Sequence, residues 1–281
     1  MLLFSILVAG SFPLGAAAAN DIPPIVLNAV RFAIAACVIG MAVALRGGIP
    51  REALSAPWRY GLLGGLFSSY FVLMFEGLKT ATPVSAAAVF TLTPVLTAGF
   101  AWLLLGQVTT GRIWRALALG GIGSLWVIFR GDLNLLLGLD VGRGEVIYFV
   151  GCTAHALYTP LVRRLNRGES ALVFTFGTLI GGTIVLAGLG LPAALHVSWM
   201  QLPSRVWIAI GYTALAASAA TFVLLQFAAL RLPASKVMAY TYLVPTWVIV
   251  WDVALGRPPV LGAALVGVVL TVCALLALLR D

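Results

Sequence analysis

Long apolar stretches separated by short polar connections run along the whole chain. A helix that crosses the hydrocarbon core of a bilayer needs about 20 mostly apolar residues. Ten stretches fit this requirement, at residues 2–19, 25–45, 58–77, 84–105, 112–129, 144–165, 170–190, 206–228, 236–254 and 260–279. They are continuous rather than alternating, which excludes a membrane barrel of strands. The pattern predicts an all-α integral membrane protein with ten transmembrane helices, numbered here as spans 1–10.

The connections carry residues that end helices, such as Gly47-Gly48, Thr82-Pro83 and Leu191-Pro192. The first stretch ends in Ala16–Asn20, which resembles a signal-peptide cleavage site. A signal peptide begins with a basic region, and no charged residue precedes Asp21. We therefore interpret residues 2–19 as a genuine first span.

Composition agrees with a membrane protein, since 62% of the residues are hydrophobic and only 9% are charged. A soluble domain carries about 25% charged residues. The net charge of +8 comes from single basic residues and short clusters between apolar stretches, which is not a nucleic-acid-binding pattern. The three cysteines lie in apolar stretches without a CxxC pair, so we expect no disulfide, metal site or cofactor.

The basic residues also predict an orientation. Eleven fall on one side of the predicted spans and five on the other, with Arg31 inside span 2. The five are Lys79, Arg130, Arg143, Arg205 and Arg257. Because cytoplasmic loops carry the excess of Lys and Arg, both termini are predicted to be cytoplasmic, in a cell inner (plasma) membrane.

The chain also shows an internal repeat. A shift of 151 residues places Pro94 on Pro245, and a shift of 147 places Pro13 on Pro160. Two repeats of five spans each are predicted, residues 1–135 and 136–281. Five is odd, so the second repeat enters the membrane inverted. Such repeats are a hallmark of secondary transporters, whose substrate site lies at the repeat interface near the membrane midplane.

Several short motifs, in this order, resemble the EamA type of the drug/metabolite transporter superfamily. They are Ala9–Pro13, Val30–Phe32, Thr91–Val95, Ala154–Tyr158 followed by Arg163-Arg164, and Tyr242–Pro245. Among its members the chain most resembles the YddG-like exporters of aromatic amino acids. The resemblance implies an inner-membrane exporter with a central cavity lined by spans 1, 3, 4, 6, 8 and 9. The chain departs from the family in having Ala9 and His155 where a tryptophan is common.

The middle of span 6 carries the polar residues His155 and Tyr158, one turn apart on one helix face. An ionisable residue at this depth faces a cavity or a partner rather than lipid; a neutral histidine bonded to a backbone carbonyl is the alternative. Small, hydroxylic and aromatic residues of other spans complete the predicted substrate pathway. They are Ser11, Ser69, Phe90, Thr91, Tyr240, Tyr242 and Trp247.

No acidic residue falls at a predicted midplane, although an antiporter of organic cations would need a buried carboxylate to exchange protons. We therefore predict facilitated export of small amphipathic metabolites, chiefly amino acids, by alternating access. A proton-coupled antiporter, a lipid flippase and a channel remain as alternatives. An intramembrane enzyme is disfavoured because no HExxH or GxSxG motif is present, and no catalytic residue is predicted. The expected partners are a small-molecule substrate and the bilayer, and the expected state is a monomer.

Other residues have structural interpretations. Arg31 is predicted to form an ion pair with Glu76 or Asp252, or to cap carbonyl groups, with capture of a substrate carboxylate as the alternative. Pro13, Pro94, Pro160 and Pro245 are predicted to kink their helices. Two GxxxG motifs, Gly61–Gly65 in span 3 and Gly177–Gly181 in span 7, predict close helix contacts.

Overall fold

The computed structural model describes residues 1–108, 110–129, 131–137, 141–257, 262 and 264–279. Arg130, Arg280 and Asp140, and the start of the tenth predicted span, lie outside them. The α-helices of this part of the chain are α1 Leu2–Ala9, α2 Ser11–Ala18, α3 Pro24–Leu45, α4 Trp58–Gly77, α5 Pro83–Phe90, α6 Thr93–Leu105, α7 Gly111–Ile128, α8 Leu133–Leu137, α9 Arg143–Leu165, α10 Ala171–Leu195, α11 Ser204–Ala214, α12 Thr221–Ala229, α13 Ala234–Ala239, α14 Val244–Ala254 and α15 Ala264–Leu279.

The prediction of an all-helical protein is confirmed, since the described residues contain helices and turns but no strand. Within the described residues, five helical stretches are long and apolar enough to cross a membrane: Pro24–Leu45, Pro83–Leu105, Ala171–Leu195, Ser204–Ala229 and Ala234–Ala254. Two shorter apolar stretches, Leu2–Ala18 and Leu265–Leu278, accompany them. The chain is therefore built as a multi-pass membrane protein.

Local sequence explains several helix ends. Hydroxyl groups of Thr82, Thr110 and Ser170 accept the backbone N–H three residues later and so cap α5, α7 and α10. Gly106 ends α6 with a left-handed φ of 63°, which glycine adopts without strain. The proline of the predicted break at Leu191-Pro192 lies inside α10, which continues to Leu195.

In four of the predicted spans a short irregular turn interrupts the regular α-helix while the backbone stays helical, and such a turn is called a break here. Span 1 breaks between α1 and α2, and span 4 breaks between α5 and α6. Span 8 contains a π-helix at Leu215–Ala220, between α11 and α12. Span 9 contains a 3-10 turn at Tyr240–Leu243, between α13 and α14. Short 3-10 and π turns inside a helix change the direction of the side chains that follow and often mark functional positions.

The tightest helix contact joins α4 and α10. A Cβ atom added at Gly64 would lie 2.2 Å from the Gly182 nitrogen and 2.6 Å from the Thr178 oxygen. A Cβ atom added at Gly181 would lie 2.3 Å from the Tyr60 oxygen and 2.9 Å from the Gly61 nitrogen, which agrees with the close contact predicted for Gly177–Gly181. Of the motif Gly61–Gly65, only the Gly61 backbone takes part, because a Cβ atom at Gly61 or Gly65 would have open space around it. The contact face of α4 includes Gly64 instead.

The remaining packing joins the two halves of the chain. Helix α4 packs on α9 and α10, while α11 packs on α2 and α3. Helix α3 packs on α10, α5 on α14, and α7 on α15. The main core lies between these helices, and a smaller core around Leu117 and Tyr242 lies beside α7 and α15.

Candidate functional site

A cluster of aromatic rings centred on Phe67 of α4 occupies the middle of the helix bundle. The Phe67 ring lies 4.3 Å from Tyr158 in a parallel stack, 5.2 Å from His155 and 4.2 Å from Phe222, measured between ring centroids. Tyr70 lies 4.5 Å from His155. These rings come from α4, α9 and α12, so the cluster joins helices of both halves.

A cavity of about 10 Å³ lies beside these rings. Its walls include Ser11, Phe67, Tyr70, Phe71, Phe90 and His155. A cavity of this volume is just large enough for one water molecule. The bundle is therefore almost closed at its centre.

Two polar atoms at this cavity have no hydrogen-bond partner, the Ser11 hydroxyl oxygen and His155 Nδ1. Both side chains are buried, with His155 only 2% exposed. Most buried polar atoms in proteins are paired, so two unpaired atoms in one cavity indicate a place where a ligand or water can bind. None of the described residues in the cavity wall carries an acidic side chain or a Lys or Arg.

Tyr158 is buried behind the cavity wall. Its hydroxyl group forms a second polar group there, together with Gln226 and Thr178. Its hydroxyl oxygen accepts a 2.9 Å hydrogen bond from Gln226 Nε2 of α12, which also lies 3.3 Å from Thr178 Oγ1. Gln226 is fully buried and its Oε1 atom has no partner. The stack on Phe67 connects this polar group to the cavity.

The structure places some of the predicted pathway residues in this region and others away from it. Ser11, Phe90 and His155 line the cavity. Ser69 is exposed on α4 and donates to the Gly65 carbonyl, because neighbouring helix positions point about 100° apart. Thr91 contacts Ser124 of α7. Tyr242 packs in the smaller core, and its hydroxyl group lies 3.4 Å from the Leu117 carbonyl.

Two further pathway residues lie on or beside the broken span 9. Tyr240, at the start of the 3-10 turn, is half-buried. Trp247 of α14 donates from its indole nitrogen to the Ser5 hydroxyl of α1, at 3.2 Å. Neither side chain lines the central cavity.

The four prolines predicted as kinks differ in their surroundings. Pro94 and Pro245 occupy the first turns of α6 and α14, directly after the breaks in spans 4 and 9. Pro13 lies within α2, just after the break in span 1. Pro160 lies inside the unbroken α9, where the lost N–H frees the Ala156 carbonyl four residues earlier, and Thr97 Oγ1 lies 3.5 Å from that carbonyl.

The predicted ion pair between Arg31 and Glu76 or Asp252 is not formed. Arg31 Nε donates to the Ser218 hydroxyl at 2.6 Å, and Nη2 donates to the Ala217 carbonyl at 2.8 Å. Both partners lie in the π-helix of span 8, where irregular winding leaves backbone groups to be satisfied. Glu76 pairs with Lys79, and Asp252 pairs with Arg257.

Sequence reasoning did not assign three residues that the structure places at or beside the centre. Phe67 and Phe71 form an i, i+4 pair with Tyr70 on one face of α4, a pattern that is equally typical of ordinary packing. Gln226 carries an amide side chain deep in an apolar span. Its sequence position could have identified it as a candidate site residue, since buried polar residues in membranes tend to be functional.

Two ion pairs among the described residues join the start of a helix to a connection between spans. Arg59 at the start of α4 lies 2.7 Å from Glu169 in the connection after α9, with both side chains buried. Burial raises the pKa of Glu169, but hydrogen bonds from Arg59 and the Arg167 backbone lower it by more. The pKa of Glu169 therefore lies below its ordinary value. Arg205 at the start of α11 lies 2.6 Å from Asp21 in the connection after α2. Its hydrogen bond lowers the pKa of Asp21. Both carboxyl groups are therefore ionised at neutral pH.

Comparison with known proteins agrees with this architecture. The chain is 30% identical over 273 residues to the uncharacterized transporter YyaM of Bacillus subtilis (strain 168), covering 95% of this chain and 89% of that protein. It is 33% identical over 105 residues to the aromatic amino acid exporter YddG of Ancylobacter novellus, covering 37% of this chain and 36% of that protein.

A solved crystal structure superposes with a TM-score of 0.73 at 22% identity, covering 98% of this chain and 95% of the other. This likeness shows a shared fold. The sequence profile described as the EamA-like transporter family matches residues 1–129 and 142–280. On this match and the likeness to YyaM over nearly its whole length, the chain belongs to the EamA-like transporter family.

Proposed function

We propose that this protein exports small amphipathic metabolites across the inner membrane by alternating access, and that amino acids with aromatic side chains are its foremost substrates. The central cavity carries the proposal. Two unpaired polar atoms, Ser11 Oγ and His155 Nδ1, share a wall of aromatic rings at the meeting point of α2, α4, α5 and α9. Such a wall fits a ligand with an apolar ring and a few hydrogen-bonding groups.

Alternating access requires two similar halves, which we place at residues 1–135 and 136–281. Helix breaks support this division, because spans 4 and 9 are both interrupted directly before the prolines that a shift of 151 aligns, Pro94 and Pro245. Helix packing supports it as well. Each span of the first half has a counterpart five spans later. Span 3 (α4) packs on spans 6 and 7 (α9 and α10), and its counterpart span 8 (α11) packs on their counterparts, spans 1 and 2 (α2 and α3).

The described residues of the cavity wall include no carboxylate, and the buried Arg31 guanidinium lies behind it, 3.6 Å from the centre of the Phe71 ring; both features disfavour cations. A cationic solute in the closed cavity would lack a counter-ion among the described wall residues, and burying an unpaired charge is costly. A zwitterionic amino acid carries no net charge, and its ring can stack on the aromatic wall. The likeness of part of the chain to an aromatic amino acid exporter agrees with this choice.

Transport is proposed to be facilitated rather than obligatorily coupled to protons. No carboxylate lies among the described residues of the cavity wall, and His155 is the one titratable side chain there other than tyrosine. In proteoliposomes loaded with radiolabelled phenylalanine, we expect saturable efflux down its gradient when the pH is equal on both sides. An imposed pH gradient should change the rate by less than about twofold, because no coupled proton is required.

Other outcomes of this flux measurement would identify the alternatives. Flux at background unless a proton gradient is imposed would establish an antiporter. Flux that does not saturate, or does not distinguish among amino acids, would indicate a channel. Movement of fluorescent phospholipid instead of amino acid would indicate a flippase. Liposomes without protein provide the background.

The inverted topology makes a separate prediction. Alkaline phosphatase should be active when fused after Lys79 or Ser204, on the outer side. Green fluorescent protein should fluoresce when fused after Gly168, Leu232 or the last residue of this chain, because these positions lie on the cytoplasmic side. Active phosphatase after Gly168, or fluorescence after Lys79, would contradict the ten-span arrangement.

A further inference from the structure

The two ion pairs at the starts of α4 and α11 occupy corresponding places in the two halves. Arg59 is the second residue of α4 and Arg205 is the second residue of α11, and a proline precedes each helix. A shift of 146 residues aligns Pro57 with Pro203 and Arg59 with Arg205. Their acidic partners also correspond, since Glu169 lies shortly before α10 and Asp21 lies shortly before α3.

Each pair ties one half of the chain to the other. Arg59 and Asp21 belong to residues 1–135, whereas Glu169 and Arg205 belong to residues 136–281. If the halves are inverted, the pair of Arg59 and Glu169 lies at the cytoplasmic face and the pair of Arg205 and Asp21 at the outer face. The cavity lies between them, since Phe67 is about 12 Å along α4 from Arg59 at 1.5 Å per residue.

We infer that these ion pairs are the two gate contacts of the transport cycle, one at each membrane face, and that each must break for the cavity to open on its side. The inference rests on the proposed inverted-repeat transporter. Opening toward the cytoplasm separates the start of α4 from the α9–α10 connection. Opening outward separates the start of α11 from the α2–α3 connection. With both pairs formed, the cavity has almost no volume, as observed.

The two contacts differ in strength. Arg59 is 1% exposed and also donates to the Leu165 carbonyl at 2.6 Å, while Glu169 accepts from the Arg167 backbone N–H at 2.6 Å. Arg205 is 59% exposed and bonds Asp21 alone, through two nitrogens at 2.6 and 2.8 Å. Breaking a buried pair is more costly than breaking an exposed one. The outer gate therefore opens more readily, and the resting carrier favours outward opening.

Cysteine labelling tests the inference without any substrate. A reporter cysteine replaces Ser11 in the cavity of a chain in which Cys37, Cys152 and Cys273 are changed to alanine. Membrane-impermeant maleimide is applied to right-side-out and inside-out vesicles. Asp21→Asn should raise the labelling rate from the outside up to about fivefold, the range expected for an exposed ion pair. Glu169→Gln should raise labelling from the cytoplasmic side by about tenfold or more.

Controls separate gating from general loosening. Glu76→Gln removes an ion pair of similar length, Glu76 with Lys79, that lies within one helix end, and it should change neither rate. The double variant Asp21→Arg, Arg205→Asp exchanges the two charges of the outer pair. It should restore the labelling rate of the parent protein from the outside. Unchanged labelling in both neutral variants, or a rise on the same side in both, would overturn the inference. If Glu169→Gln fails to fold, the outer pair and its charge exchange still decide it.

The result is independent of the flux measurement. A protein that transports no amino acid can still show side-specific labelling, in which case the substrate proposal fails and the gates stand. If the protein transports amino acids but its labelling does not respond to these substitutions, the substrate proposal stands and the gate inference fails.

Discussion

Replacing Gly64 with alanine is expected to destabilise the fold more than any other single methyl group added to α4. The new Cβ atom would lie 2.2 Å from the Gly182 nitrogen and 2.6 Å from the Thr178 oxygen. These are backbone atoms, so no side chain can rotate away and the two helices must separate. Overpacking costs about 1–3 kcal/mol, and valine at this position should prevent folding. Thermal unfolding in detergent, followed by size-exclusion chromatography, measures the effect.

The same helix supplies the matched control. A Cβ atom at Gly65 would have no neighbour within 4 Å, so Gly65→Ala should leave the unfolding temperature unchanged or raise it slightly. Equal losses in the two variants would mean that α4 is sensitive to alanine in general, and that the close contact with α10 is not its cause.

Removing the polar edge of His155 is expected to weaken transport with little loss of folded protein. His155→Phe keeps a ring between Tyr70 at 4.5 Å and Phe90 at 5.4 Å but removes Nδ1. Losing one hydrogen bond to the substrate costs about 0.5–1.5 kcal/mol, which is roughly a several-fold to tenfold loss of apparent affinity. His155→Ala should lose the same affinity and additional stability, because it also leaves a hole among the rings.

The other histidine of the chain provides the comparison for this experiment. His196 is exposed in the connection after α10, and His196→Phe should transport like the parent protein. Concentration-dependent efflux in proteoliposomes gives the apparent affinity of each variant. Parent-like affinity in His155→Phe would assign the histidine to packing alone.

The pattern of apolar stretches predicted helix positions closely, because the bilayer sets a length that the sequence must supply. Span 3 was predicted at residues 58–77, the bounds of α4. Breaks inside spans were less predictable. Pro94 and Pro245 marked two of them, whereas the π-helix at Leu215–Ala220 contains no proline. Its partner Arg31 was recognised as unusual, but its contacts depend on a helix 187 residues away.

Predictions of the site depended on the direction in which each side chain points. His155 and Ser11 were placed at the centre by depth, and the structure puts both at the cavity. Ser69 has the same depth as its neighbours but points outward. Depth follows from counting residues along a span, whereas direction depends on how the helix is rotated against its neighbours. A single sequence read by itself does not specify that rotation.

The contacts of Arg31 have a consequence for how the protein is made. An arginine in the bilayer costs about 2.5–3.5 kcal/mol on insertion scales, and its two shortest hydrogen bonds go to Ser218 and Ala217. These residues are synthesised more than 180 positions after Arg31. Within the first half, Arg31 contacts only Asn28, at 3.4 Å, and the ring of Phe71. During synthesis, its two shortest hydrogen bonds therefore form only after α11 and α12 have entered the membrane, so the second half completes the surroundings of a buried charge in the first.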